Sequence, residues 1–300
     1  MQESECVAIA LDVGGTSVKS GLVSASGAVI GEPLHTPVAS DRDAETILAT
    51  FAGVVRHHLA ALGEAALCGV GFGFPDPMEY PAGVCWIRGL NKYDALYGVH
   101  VGQAMRERVP LGDDVPVLFR NDAEAAVVGE ALYGAGRPYH RLIGITLGTG
   151  LGSAFVIDGV RQTSGPGVPA ENNGFLYHLP VQGKRADDVF SIRGLTARLQ
   201  AAGVTAGTIR GAADAARAGD AIAQQVFAQF GADLGAFLKP HVAAFGAEAV
   251  LVLGGIAGAF DLFGPALQAA LPVRAHTTAL GGNAALLGAA ALVLPRYDRA

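Results

Sequence analysis

Cysteine is scarce in this chain and stops early: Cys6, Cys68 and Cys85 are the whole complement of 300 residues. Three scattered thiols are too few for a disulfide framework or a zinc site. Positive charge is neither abundant nor grouped. The net charge is −6 with no basic block, so a nucleic-acid surface is not expected. Long apolar runs are missing as well. Apolar residues make up 51% of the chain and mean hydropathy is +0.36, yet no uninterrupted run reaches the roughly 18 residues needed to span a bilayer. The longest stretches, 249–260 and 284–295, are rich in glycine and alanine and stop short. The opening residues, Met1-Gln2-Glu3-Ser4-Glu5-Cys6, are acidic, unlike a secretory signal. A soluble, cytoplasmic protein without membrane contact is expected.

Glycine, by contrast, is abundant, with 42 residues, many of them where strands turn. Twice a strand runs into a glycine-threonine turn and out into a second strand. The first copy is Leu11-Asp12-Val13-Gly14-Gly15-Thr16-Ser17-Val18-Lys19; the second is Ile145-Thr146-Leu147-Gly148-Thr149-Gly150-Leu151-Gly152-Ser153. Glycine lets backbone N–H groups approach anionic oxygens closely, and threonine adds a hydroxyl. Two such hairpins far apart suggest two related half-molecules, each offering a loop to a nucleotide.

The rest of the pattern repeats likewise. Segments 7–13, 17–23 and 28–32 read as strands, and 43–62 has apolar residues at helical spacing. Then come strand 68–74, helix 97–108, strand 115–119 and a helix at 123–133 capped by Asn121-Asp122. After the 143–160 hairpin and an irregular stretch, helices are expected at 194–202, 209–218 and 220–245, a strand at 249–253 and a last helix at 283–293. Strand-strand-strand-helix-strand-helix, twice, points to an α/β fold with mixed sheets in two lobes. The lobes are placed at 1–121 and 122–282, with 283–300 as a C-terminal helix packing back on the first.

This arrangement resembles the ROK family of sugar kinases, within the actin/hexokinase superfamily. Asp12-x-Gly14-Gly15-Thr16-x-x-Lys19 is similar to its first phosphate motif, Gly148-Thr149-Gly150-x-Gly152 to its second, and Leu253-Gly254-Gly255 to its adenosine-side turn. Asn121-Asp122-Ala123, with Glu130 in the following helix, resembles the stretch bearing the catalytic aspartate. The run 282–290 resembles the family's C-terminal connecting helix.

The resemblance implies a two-lobed actin-like ATPase fold, a ribonuclease H-like mixed sheet duplicated with the active-site cleft between lobes. It also implies ATP- and Mg²⁺-dependent phosphorylation of a hexose. Asp122 would be the general base, the alternative being a plain helix cap. Asp12 would hold Mg²⁺ through water. Gly14, Gly15, Thr16, Gly148, Thr149 and Gly150 would bind phosphates, and Gly254 and Gly255 the adenosine side. Lys19 either assists with phosphate charge or is simply an exposed lysine. Asn91, Asn121, Asp122, Glu171 and His178 would contact the sugar. A helix terminus at Asp122 should favour its ionised form.

The pattern breaks after Ala170. Counting forward from Asp158-Gly159 puts Glu171 in register with the family's sugar-binding glutamate; counting back from His178-Leu179-Pro180-Val181 puts Phe175 there. The family's zinc-loop cysteines are absent, so no zinc site is expected, and 161–194 must be held by packing and hydrogen bonds. Asp187-Asp188-x-x-Ser191 resembles the step into the next helix in zinc-free relatives. Two alternatives stay open: polyphosphate as donor, for which only scattered cations such as Arg120, Arg137 and Arg141 speak, and a catalytically silent sugar-binding protein. Eleven residues precede Asp12, so the helix-turn-helix domain of a sugar-sensing repressor is not expected. A homodimer is expected from the resemblance.

Overall fold

The computed structural model describes residues 6–295. Its first sheet comprises β1 (Cys6–Val13), β2 (Ser17–Ser24) and β3 (Val29–Pro37), then, after α1 (Ala44–Ala61), β4 (Ala66–Phe74). After α2 (Val101–Arg108) comes its last strand, β5 (Val117–Asn121), which leads directly into α3 (Asp122–Tyr133). The strand order is β3-β2-β1-β4-β5. β1, β2 and β3 pair antiparallel, whereas β4 pairs parallel with both β1 and β5. Asp12 therefore lies opposite Lys19 and Gly73, and Asn121 lies opposite Phe74. The C-terminal ends of three parallel strands meet at one edge of the sheet, where open α/β sheets bind ligands.

β4 shows why this sequence reads as it does. In Gly69-Val70-Gly71-Phe72-Gly73-Phe74 the valine and phenylalanines are buried in the core with Ile9, Leu11, Ile47 and Phe51. Two of the alternate glycines lie against backbone: a Cβ on Gly71 would run into the Ala289 carbonyl near the end of the chain, and one on Gly69 into the Pro116 carbonyl.

The second sheet repeats the order. β6 (Arg141–Leu147), β7 (Leu151–Ile157) and β8 (Val160–Gln162) pair antiparallel. A helical run follows: α4 (Ala186–Phe190), α5 (Ile192–Ala201), α6 (Ile209–Arg217) and α7 (Ala221–Phe245). β9 (Ala249–Leu253) pairs parallel with β6, α8 (Phe260–Ala270) follows, and β10 (Arg274–Thr277) closes the sheet. Its order is β8-β7-β6-β9-β10, the same arrangement as in the first. The last helix described is α9 (Ala284–Ala290).

Two compact units result, one of residues 1–129 with 282–300, the other of 130–281. In the first, α9 packs on β1 and β4; a Cβ on Gly71 would fall 2.0 Å from the Ala289 carbonyl oxygen. The core of the second unit joins Ile143, Ile145 and Phe155 of its sheet to Phe190, Phe227, Phe230, Leu234 and Phe263.

Three readings need correction. Cys6 and Cys68 form a disulfide, with Cα atoms 5.4 Å apart. Residues 62 apart meet because β1 and β4 are parallel neighbours, which their spacing in sequence does not reveal. The helix expected over 97–108 is shorter, α2 alone: residues 97–100 lie outside it, where Gly98 has φ 76°, and follow a separate 3-10 turn at Asp94–Leu96. The strand expected at 115–119 runs instead over Val117–Asn121, so Asn121 belongs to the sheet. Among the described residues no helix is long and apolar enough to cross a membrane.

Candidate functional site

In the first unit the turn between β1 and β2 is closed by the Gly14 N–H, which donates to the Ser17 carbonyl at 2.9 Å. A Cβ on Gly14 would meet that carbonyl at 3.0 Å. Thr16 at the turn is exposed. Asp12 precedes the turn and is half-buried. Its pKa is raised to about 6, first by burial and then by the carboxylate of Asp122, against a lowering by Lys19. Lys19 is neither free nor on the turn. Its ammonium donates to the Gly282 carbonyl at 2.8 Å and to Asn283 Oδ1 at 2.5 Å, where the chain enters α9.

Asn121 and Asp122 divide their work. Asn121 Oδ1 accepts the Glu124 N–H at 3.1 Å, so Asn121 caps α3. Its amide donates to Asp76 Oδ2 at 2.8 Å. Asp76 also accepts the Tyr80 hydroxyl at 2.7 Å. Burial, and then Asp76, push the Tyr80 hydroxyl pKa far up, so it stays protonated and donating. With the cap supplied by its neighbour, Asp122 sits in the first turn and makes a 2.8 Å bond to the Ala123 N–H. The expectation that the helix terminus favours the ionised form is only part of the balance. Burial dominates and raises the Asp122 pKa, while the Ala123 N–H and Lys92 lower it.

Asp12 and Asp122 are thus two crowded carboxylates. Among the described residues no cluster of three or more metal-ligating side chains occurs, but magnesium does not require one. It keeps several waters and is held by one or two carboxylates together with substrate phosphates. The pair fits that ion, because a cation relieves the repulsion between the carboxylates that adds to burial in raising the Asp12 pKa.

Asn91, expected at the sugar, is exposed with φ 54°, a left-handed backbone that asparagine tolerates. Tyr93, two residues on, donates from its hydroxyl to the Gly14 carbonyl at 2.5 Å. The structure therefore ties the loop of Asn91 to the first glycine turn.

The second unit has its own glycine site. Gly148 N–H donates to the Gly150 carbonyl at 3.1 Å. Thr149 and Gly150 are exposed. Asp187 Oδ1 accepts the Leu151 N–H at 2.8 Å, and Arg193 pairs with the other Asp187 oxygen at 3.0 Å. Gly254 has φ 89°, and a Cβ there would sit 2.5 Å from the Leu147 carbonyl oxygen. Hence the turn Gly254-Gly255 and the loop 148–150, far apart in sequence, lie together. No side chain other than hydrogen fits this approach.

Hydrogen bonds from β7 anchor the stretch after 161. Ser153 Oγ accepts the Leu176 N–H at 2.9 Å and donates to the Gly174 carbonyl at 3.2 Å, with Leu176 fully buried. Glu171 lies exposed on a single 3-10 turn, Ala170–Asn172. His178 has both ring nitrogens shielded from solvent and unpartnered among the described residues.

Sequence reasoning missed Asp76, Tyr80 and Tyr93. Only Asp76 carried a local signal, an acidic residue between two prolines at a strand end. The tyrosines act through contacts that spacing does not encode.

A model of the ROK family matches residues 8–296. A glucokinase of Thermotoga maritima is 29% identical over 181 residues, covering 58% of this chain and 50% of that protein. The chain spans about half the length of the curated glucokinases it matches. Among solved structures, an inorganic polyphosphate/ATP-glucomannokinase from Arthrobacter sp. strain KM is 27% identical, with TM-score 0.68 over 96% of this chain and 98% of that one. The ROK hexokinase of Thermus thermophilus, 23% identical, has TM-score 0.76 over 95% and 96% of the two chains; that likeness is one of fold.

Proposed function

Because this chain belongs to the ROK family, we propose that it is a sugar kinase, transferring a phosphoryl group from ATP to a hexose hydroxyl. The observation that carries the reading is the placement of Asp122. It stands in the first turn of α3 with Asn121 taking over the cap, and it is close enough to Asp12 to raise that residue's pKa.

Asp122 accepts the proton of the attacking sugar hydroxyl, a role that fits a carboxylate whose pKa burial has lifted toward the working pH. Asn121 is oriented through Asp76 and Tyr80 and contacts the same hydroxyl. Asn91, Glu171 and His178 are assigned to the remaining sugar contacts; the ring nitrogens of His178, unpartnered among the described residues, support its share. Asp12 holds magnesium, through water, and Gly14, Gly15 and Thr16 offer phosphate contacts. When bound, the ion neutralises charge on the phosphates. In the second unit, 148–150 is assigned to phosphate and Gly254-Gly255 to the adenosine side. Lys19, bonded to Gly282 and Asn283, tunes Asp12 by its charge.

Polyphosphate is the second donor to consider, since one relative of known structure bears it in its name. The scattered cations do not favour it. Arg120 donates to the Gly288 carbonyl, and Arg141 bonds the Phe245 carbonyl while lying over the Phe245 ring.

A coupled assay over hexoses and N-acetylhexosamines, each with ATP·Mg²⁺ and with polyphosphate, tests the reading. Turnover on one sugar is expected with ATP. Asp122→Asn should then lower kcat by about 10²–10⁴-fold while calorimetry shows sugar binding retained. Undiminished turnover in that variant would remove Asp122 as the base. Silence of the wild type across the panel, with sugar still bound, would leave a binding protein.

A further inference from the structure

Lys92 has no part in the roles assigned above. It follows Asn91 in a loop whose backbone is unusual on both sides, with φ 54° at Asn91 and 57° at Tyr93. Such conformations persist where surrounding contacts over-determine them. The contacts are present. Tyr93 is fully buried, its hydroxyl donates to the Gly14 carbonyl at 2.5 Å, and its N–H donates to the Ser40 carbonyl at 2.6 Å. Ser40 Oγ donates in turn to the Gly15 carbonyl at 2.5 Å. Three hydrogen bonds thus staple the loop to the first glycine turn.

The staple carries the Lys92 side chain across that turn. A Cβ built on Gly15 would lie 3.6 Å from Lys92 Cδ. Lys92 is half-buried, and among the described residues no carboxylate pairs with its ammonium at ion-pair distance. Its charge is nevertheless felt at Asp122. A cation without an ion-pair partner among the described residues therefore lies with its stem over the first glycine turn and its charge felt at the base.

We propose that Lys92 is a catalytic residue, its ammonium contacting the phosphoryl group in transfer and offsetting the negative charge on that group's oxygens. The inference rests on the kinase reading. In the step, the sugar oxygen bonds to the γ-phosphorus as the bond to the β–γ bridging oxygen breaks. The hydroxyl proton passes to Asp122, the bond's electron pair leaves with ADP, and Lys92 keeps its proton throughout. A compact ammonium suits this task as a point charge.

The test compares Lys92→Met and Lys92→Arg with the wild type, in turnover and in calorimetric binding of ADP and of a non-hydrolysable ATP analogue, each with Mg²⁺. Lys92→Met should lower kcat by about 10²–10³-fold, the range for losing one preorganised charge-stabilising group, with the sugar KM within about twofold of wild type. It should weaken the triphosphate analogue and spare ADP, and Lys92→Arg should recover part of both losses. Lys92→Met with wild-type kcat and analogue affinity would overturn the proposal and leave the kinase reading standing. Equal weakening of ADP and the analogue would also overturn it, since a merely structural lysine acts that way. A wild type that phosphorylates no sugar and does not distinguish the two nucleotides would overturn the kinase reading, and this inference with it.

Discussion

His58 of α1 is buried with its Nε2 2.8 Å from Ser20 Oγ of β2. Burial first, and the neighbouring His57 second, lower its pKa to about 4. In the unfolded chain the ordinary value of about 6.5 applies. Between those values the unfolded chain binds the extra proton and the folded chain does not, so stability rises with pH across that window. The contribution is complete above about pH 6.5 and is lost as pH falls toward about 4, at up to roughly 1.4 kcal/mol per pH unit. Urea midpoints measured down that range should fall, and His58→Gln should flatten the slope. An unchanged slope in the variant would assign the pH dependence to other groups. Residues of this kind mark the limit of a sequence reading. His58 is an ordinary histidine on a helix until β2 places Ser20 beneath it. Lys92 likewise is one lysine beside Asn91 until Tyr93 meets Gly14.

At the scale of elements, α9 sets the tightest packing in the first unit. A Cβ on Gly288 would lie 1.7 Å from the Ala125 carbonyl oxygen of α3, and one on Gly129 would lie 2.0 Å from the Ala284 carbonyl oxygen. Such backbone cannot give way as a flexible side chain does, so Gly288→Ala should cost about 1–3 kcal/mol, the usual range for overpacking. Gly53 in α1 has nothing within 4 Å of an added Cβ. There the alanine relieves the glycine penalty, and Gly53→Ala should stabilise by about 0.8–1 kcal/mol. Urea unfolding of both variants measures the contrast, and equal effects would contradict the packing argument. Sequence periodicity revealed α1 and α7 within a residue or two, because long apolar stripes and the caps Asp43 and Asp220 mark them. It did not reveal α8 or β10. Gly258, Gly264 and Pro265 interrupt the pattern there, yet α8 forms because it packs on α7.

At the scale of the whole molecule, two sheets with the same strand order account for the paired glycine turns of the sequence. The Cys6–Cys68 bond ties β1 to β4 within the first unit only. Closing a loop of that length stabilises by about 2–4 kcal/mol in the usual range. Reduction should therefore lower hydrogen-exchange protection in the first unit and spare the second; a uniform loss across both would contradict this. Sequence alone determined the duplicated α/β pattern, the glycine turns, the Asn121-Asp122 step and the family, because these rest on local spacing and on residue types with few substitutes. The tertiary structure decided what each of these residues contacts. It assigned the cap to Asn121 and released Asp122, brought Gly254 against Leu147, spent Lys19 on the start of α9 and laid Lys92 over Gly15. Those outcomes depend on which strands become neighbours, and parallel pairing joins residues whose separation along the chain carries no signal of contact.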